Sequence, residues 1–190
     1  VTDSSIHPGA AGDDPNRRDF IHIMAAATGA VGVGAVAWPF IDQMNPAADT
    51  LALASIDVDI SSLSEGQELT VFWRNRPVYI RYRTAAEIDA AKAGDAETLR
   101  DKQTDEARLV AGPDGQLKPQ ILVLEGVCTH LGCAPKGGKV GDVKGDYEGW
   151  FCPCHGSHYD TSGRIRKGPA PKNLPVPPYA YLSDTVIKIG

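Results

Sequence analysis

The sequence predicts an all-β head, an antiparallel β-sandwich with an inserted loop-built subdomain, joined to one N-terminal transmembrane helix. Three observations predict it. Residues 20–41 carry no formally charged side chain. Past residue 55, short segments alternate with period two between turns rich in Gly, Pro, Asn and Asp. All four cysteines and three of the five histidines fall between positions 128 and 158, in a stretch that reads as loops.

Size and composition set the bounds. At 190 residues the chain holds one ordinary domain plus something extra. Hydrophobic content of 42% and charged content of 23% are globular averages. A formal net charge of −5 argues against nucleic acid as a partner. Four cysteines in a chain this long do not make a disulfide scaffold.

Residues 1–16 are polar and rich in Asp, Gly and Pro, as a poorly ordered tail is. Asn16-Arg17-Arg18-Asp19-Phe20-Ile21 follows, and a twin arginine before an apolar run reads as a twin-arginine export signal. As helix, the run 20–41 spans roughly 33 Å, enough to cross a bilayer core. A removable signal peptide is the competing reading. Against it stand the length of the run, the lack of a clear A-x-A cleavage site, and Trp38 and Phe40 as an interfacial anchor. Arg17 and Arg18 precede the span and no Lys or Arg follows it until Arg74, so the positive-inside rule puts the N-terminus in the cytoplasm and the rest outside. In a bacterium that places the head in the periplasm, anchored in the inner membrane. Small-residue pairs such as Ala25/Gly29 and Ala30/Gly34 suit packing on neighbouring membrane helices. His22 reads as interfacial.

The tail with its signal occupies 1–19, the anchor 20–41, a linker 42–55 and the head 56–190. Strands are expected at 56–60, 68–73 and 77–83, the last two joined by a turn at Arg74-Asn75-Arg76. Thr84-Ala85-Ala86-Glu87 is a capping-box pattern opening a helix to about Ala93, and a second, weaker helix is expected over 96–102. The charged, Ala-rich stretch 84–118 reads as an inserted surface excursion outside the core. Gly112-Pro113-Asp114-Gly115 is a turn, 121–124 a buried strand, and 179–182 with 185–189 a closing hairpin around Ser183-Asp184.

The chemistry sits in two boxes. The first is Cys128-Thr129-His130-Leu131-Gly132-Cys133, the second Cys152-Pro153-Cys154-His155-Gly156-Ser157-His158-Tyr159. Each offers a Cys and a His at short spacing plus one further cysteine. Thiolates and imidazoles arriving in pairs from two loops are a metal-site signature. Three readings compete. Two disulfides would leave the histidines incidental. Zinc is chemically possible, but zinc loops usually supply like ligands in pairs. Mixed loops suit a Rieske-type 2Fe–2S cluster, in which two Cys hold one iron and two His the other.

The two boxes resemble those of the Rieske iron–sulfur proteins of respiratory cytochrome bc complexes, and the rest of the chain fits that likeness. The resemblance implies a Rieske-type β-sandwich head with a cluster-binding subdomain at about 126–173. It implies one 2Fe–2S cluster with Cys128, His130, Cys152 and His155 as ligands, and a disulfide between Cys133 and Cys154. One disulfide beside a metal cluster requires an oxidising compartment. Simple Rieske ferredoxins and ring-hydroxylating oxygenases typically lack that extra cysteine pair, so it points to the quinol-oxidising branch. The plastoquinol-oxidising relatives are the alternative within the branch.

The function implied is that of an electron-transfer subunit within an enzyme, ubiquinol–cytochrome c oxidoreductase. It takes one electron from ubiquinol at the cytochrome b subunit and passes it to the c-type cytochrome subunit, with proton release, in a dimeric multisubunit membrane complex. The linker 42–55 becomes a hinge. His130 and His155 present their outer edges to the quinol, and Ser157 and Tyr159 are candidate hydrogen-bond donors to the cluster sulfurs. His158 is expected to be no ligand. Leu131 and the run Pro169-Ala170-Pro171 are expected to shield the cluster and shape the docking face.

Overall fold

The computed structural model describes residues 16–46, 54–94, 96–139 and 141–190, and the chain divides into two units, Val1–Ala48 and Asp49–Gly190. In the first unit, helix α1 spans Arg17–Asp42 and buries none of its side chains. It starts earlier than the apolar run does because Asn16 forms a capping box. Its Oδ1 accepts from the amides of Arg18 and Asp19, and Asp19 Oδ2 accepts from the Asn16 amide. The twin arginine therefore lies in the first turn. With a mean hydropathy of 1.8 over its most apolar 18 residues and a length of about 39 Å at 1.5 Å per residue, α1 is long and apolar enough to cross a bilayer. Thr28 Oγ1 donates to the Met24 carbonyl, which satisfies its hydroxyl within the helix. Of the expected tail and hinge, residues 1–15 and 47–53 lie outside the described residues.

In the second unit the described strands form three antiparallel three-stranded sheets. Strand β1 (Ile56–Asp59) pairs with β9 (Val186–Ile189), which pairs with β8 (Tyr179–Ser183). Strands β2 (Glu68–Trp73), β3 (Arg76–Tyr82) and β4 (Ile121–Glu125) form the second sheet. Strands β5 (Glu148–Cys152), β6 (Ser157–Asp160) and β7 (Ile165–Lys167) form the third. The β2–β3 turn has two residues where three were expected. Arg74 and Asn75 both take positive φ, 48° and 62°, the signature of a type I′ hairpin that matches the strand twist.

The middle sheet is covered on both faces. Val78, Ile80, Ile121 and Val123 face the first sheet, packing with Val58, Ile187 and Ile189, and Trp73 of β2 joins the same cluster. The alternate residues Tyr79, Leu122 and Leu124 face the third sheet, packing with Trp150, Tyr159, Ile165 and Leu174. This explains the unbroken apolar run of β4, since a strand buried on both sides needs no alternation. The third sheet was not expected at all. Its strands are short, and β6 reads Ser-His-Tyr-Asp, with no hydrophobic alternation to reveal it.

Helix α2 (Ala85–Ala93) forms as expected, with Thr84 and Glu87 reciprocally capped. The expected helix at 96–102 is only a 3-10 turn, Ala96–Thr98, and a second such turn covers Glu106–Arg108. The stretch 84–118 lies largely at the surface and outside the two apolar cores, as expected, but it is anchored inward at a few points. Ala91, Leu99, Asp105 and Arg108 are all buried. The reason is ionic: Arg83, buried at the end of β3, makes two hydrogen bonds to the Asp105 carboxylate, at 2.6 and 3.1 Å. That pair draws the chain inward.

Candidate metal centre

Two loops build the site, and both turn in the same way. The first follows β4, and the amide of Gly132 donates to the Cys128 carbonyl at 2.9 Å. The second joins β5 to β6, and the amide of Gly156 donates to the Cys152 carbonyl at 3.0 Å. Each turn closes on a glycine at positive φ, 83° and 71°, a conformation that glycine adopts without cost. The common sequence logic is a Cys followed four positions later by Gly. The loops also touch through the backbone. Lys136 and Phe151 exchange amide–carbonyl bonds at 2.8 and 2.6 Å, a link the spacing of the boxes did not announce.

The structure brings the expected site residues together in pairs, Cys128 with Cys152, His130 with His155 and Cys133 with Cys154. Cys128 and Cys152 are free thiols and almost fully buried. The rings of His130 and His155 stand edge to face with centroids 4.6 Å apart. His155 is exposed and His130 partly so. The thiols thus sit in the core and the imidazoles at the surface. Cys133 and Cys154 are joined as a disulfide, with Cα atoms 6.8 Å apart. The sulfurs of Cys133, Cys152 and Cys154 lie within 4.8 Å of one another, but the disulfide leaves only Cys152 of that trio with a free thiol.

Hydrogen-bond donors surround the sulfurs. Tyr159 Oη donates to Cys128 Sγ at 3.2 Å, inside the core. Burial raises the pKa of the Cys128 thiol, yet hydrogen bonds from Tyr159, the His130 backbone and Ser157 outweigh it and hold the thiol below its ordinary value. Burial, with Cys128 beside it, pushes Cys152 the other way despite backbone bonds from Cys154 and His155. The Tyr159 hydroxyl is pushed above its ordinary value, chiefly by burial and then by its bond to Cys128. Ser157 is fully buried and its Oγ also accepts from the Ala170 amide at 3.2 Å.

His158 stands apart from the set. Its Nδ1 accepts from the Asp146 amide at 3.1 Å, so that lone pair is used, as expected of a non-ligand. His130 is the opposite case: its Nδ1 is buried and has no hydrogen-bond partner. A buried imidazole nitrogen without a partner is costly unless something else binds it. Together with two free buried thiols and a second imidazole, it fits a Rieske-type 2Fe–2S cluster, which takes both residue types. A zinc ion would use the same four residues, and the donor set alone does not separate the two.

Several residues of the site were not legible from the boxes. Thr129 Oγ1 donates to the Lys172 carbonyl at 2.6 Å, tying the first loop to the Pro-rich segment. Tyr79 Oη donates to the Pro135 carbonyl at 2.7 Å, and Trp150 Nε1 donates to Glu68 Oε2 at 3.0 Å. The partners lie far apart in sequence, so no local pattern marks them. Leu131 is largely exposed beside His130, and Ala170 is fully buried between the exposed Pro169 and Pro171.

Comparison with known proteins separates iron–sulfur from zinc. The family model described as the Rieske [2Fe-2S] domain matches residues 83–178. A second, described as "Ubiquitinol-cytochrome C reductase Fe-S subunit TAT signal", matches residues 8–47. The ubiquinol-cytochrome c reductase iron-sulfur subunit of Rhodospirillum rubrum is 61% identical over 94% of this chain and 94% of its own length. That of Blastochloris viridis is 55% identical over 93% and 94%. A chain of a hyperthermophilic respiratory Complex III is 26% identical, with a TM-score of 0.49, covering 88% of this chain and 98% of that one. With a cluster-domain match across half its length and such relatives along nearly all of it, the chain belongs to the Rieske iron–sulfur subunits of ubiquinol–cytochrome c reductase.

Proposed function

We propose that this chain binds one 2Fe–2S cluster through Cys128, His130, Cys152 and His155 and works as the electron-transfer subunit of a cytochrome bc complex. When bound, such a cluster supplies one-electron transfer at high potential. The chain takes its electron from ubiquinol at cytochrome b and gives it to the c-type cytochrome subunit. One observation carries the ligand assignment. Two free thiols in the core and two imidazoles at the surface converge from two loops.

Each side chain has a role under this reading. The thiols hold the buried end and the imidazoles the outer end. His130 faces inward through Nδ1, the buried atom without a partner, which leaves Nε2 on the side of the quinol. A neutral imidazole with one nitrogen committed to metal keeps a proton on the other and can exchange it. Once that outer proton has been lost to solvent, the free nitrogen of His130 or His155 accepts the quinol hydroxyl's hydrogen bond and then its proton. Tyr159 and Ser157 donate toward sulfur, which favours the more negative, reduced state. Cys133–Cys154 closes a loop with sequence separation 21, worth about 3 kcal/mol by the chain-entropy account. An apolar α1 behind a twin-arginine signal fits a single-pass anchor. The charge asymmetry about it puts the N-terminus in the cytoplasm and the head in the periplasm.

The test is iron content with electron paramagnetic resonance of the reduced protein. His155→Ala should lose the cluster, whereas Tyr159→Phe should keep full iron and shift the potential down. Full iron retained in His155→Ala would overturn the ligand assignment.

A further inference from the structure

The segment Gly168-Pro169-Ala170-Pro171 lies against the second ligand loop with little backbone means of staying there. Pro169 and Pro171 carry no amide hydrogen, so the only N–H between Gly168 and Lys172 belongs to Ala170. That N–H donates to Ser157 Oγ. Gly168, at φ 101°, sits so close that a Cβ would collide with the Gly156 carbonyl and the Ser157 Cα. The contact with Ser157 is therefore intimate, yet this stretch belongs to no strand.

Side chains from the 96–110 stretch hold it instead. Arg100 Nη1 donates to the carbonyls of both Gly168 and Ala170, at 2.7 and 2.6 Å. The next residue grips the far end: Asp101 Oδ2 accepts from the Asn173 amide at 2.9 Å, and the Asp101 carbonyl accepts from Asn173 Nδ2 at 3.1 Å. Arg108, itself buried, donates to the Leu174 and Ser162 carbonyls. A stretch with no part in the ligand set thus spans both ends of the segment that rests on Ser157.

We propose that Arg100 is a positioning residue for electron transfer, acting on the cluster through Ala170 and Ser157. By fixing the carbonyls of Gly168 and Ala170, one on either side of Pro169, it holds the Ala170 N–H on Ser157 Oγ. A hydroxyl that accepts one bond in a fixed direction has its own hydrogen left to point elsewhere, here toward the Cys128 sulfur. Loss of the clamp frees the loop, and the Ser157 hydroxyl turns away for part of the time. The proposal rests on the reading of Ser157 as a donor to the cluster.

The experiment compares Arg100→Gln, Arg100→Lys, Ser157→Ala and the double variant Arg100→Gln/Ser157→Ala in the assembled complex. It reads iron content, midpoint potential and hydrogen exchange at the Ala170 amide. Arg100→Gln is expected to keep full iron and to lower the potential by less than Ser157→Ala does. Ala170 exchange is expected to quicken about tenfold, the scale of a lost charge-assisted hydrogen bond discounted for exposure. Arg100→Lys restores part of both effects. In the double variant, Arg100→Gln adds no further fall, because its route runs through Ser157. An equal fall with and without Ser157 would mark a plain charge effect and overturn the proposal, as would unchanged Ala170 exchange. An unshifted potential in Ser157→Ala would instead sink the donor reading of Ser157. Exchange at Ala170, which needs no cluster, would then decide the clamp alone.

Discussion

Glu68 holds a proton at pH values where most carboxyls have lost theirs. Its pKa rises from 4.5 to about 7, first through burial and further through the negative Asp142 nearby. The bond from Trp150 Nε1 and the charges of Arg81 and Lys139 oppose the rise without cancelling it. A Cβ on Gly138 would collide with the carboxyl group, so backbone replaces water on that side. The consequence for stability follows from proton counting. Between pH 4.5 and about 7 the folded protein binds more protons at this site than the unfolded chain, so stability falls as pH rises through that window. It is fully present below 4.5 and levels off above 7. The loss is at most ~3 kcal/mol, from a shift of roughly two and a half pH units. Glu68→Gln keeps an acceptor for Trp150 and cannot ionise. Its thermal midpoint should match the parent at pH 4.5 and exceed it at pH 8. Parallel pH profiles for the two proteins would show that Glu68 ionises as an ordinary carboxyl.

The strands and helix that could be read in advance are those whose signal is local. Strands β2 and β3 announce themselves by composition around an Arg-Asn turn, α2 by the Thr84–Glu87 cap, and β8–β9 by alternation. The ligand boxes are legible for the same reason, since each turn spans only a few residues. What escaped depends on distant partners. Strand β6 is polar in sequence because Ser157 and Tyr159 face the site while Asp160 binds Arg164 at 2.8 Å. The 96–110 stretch looked like surface because Asp105 and Arg108 are charged, yet both are buried with partners 22 and 54 residues away. Asp105 ties three elements together. It accepts from both Arg83 nitrogens and, at 2.6 Å, from Ser162 Oγ. These bonds hold its carboxyl below the usual range although burial pushes it up. Asp105→Ala strands the Arg83 guanidinium, whose side chain has no exposure, and such a break costs about 3–5 kcal/mol. Chemical denaturation of the head should show a midpoint lowered accordingly. A shift under 1 kcal/mol would mean that Arg83 finds other acceptors, its existing bonds to the Pro119 carbonyl foremost.

The two units divide their physical tasks sharply. Helix α1 buries nothing within the chain and carries exposed Phe20, Ile21, Val31, Trp38 and Phe40 along its length, a surface that suits lipid and not water. Every residue of the two apolar cores lies at position 56 or beyond. Entry to the head is fixed within the head itself: Trp73 Nε1 donates to the Ala54 carbonyl at 2.9 Å, and Gly190 lies so close that a Cβ would strike that same carbonyl. Both apolar cores are thus completed by residues of the head alone, whereas delivery of electrons between membrane-bound partners calls for the anchor. A chain begun at Asp49 keeps Ala54 and all of both cores. It should be soluble, load iron to the same content, and show the same resonance spectrum and potential as the full chain. Its thermal midpoint should fall by no more than a few degrees, since it keeps both apolar cores entire. Ubiquinol-to-cytochrome turnover, in contrast, should fail when this head replaces the full subunit, because nothing holds it at the membrane face of its partners. An insoluble or iron-free product would show that the anchor contributes to folding after all, and full turnover would show that the head docks without it.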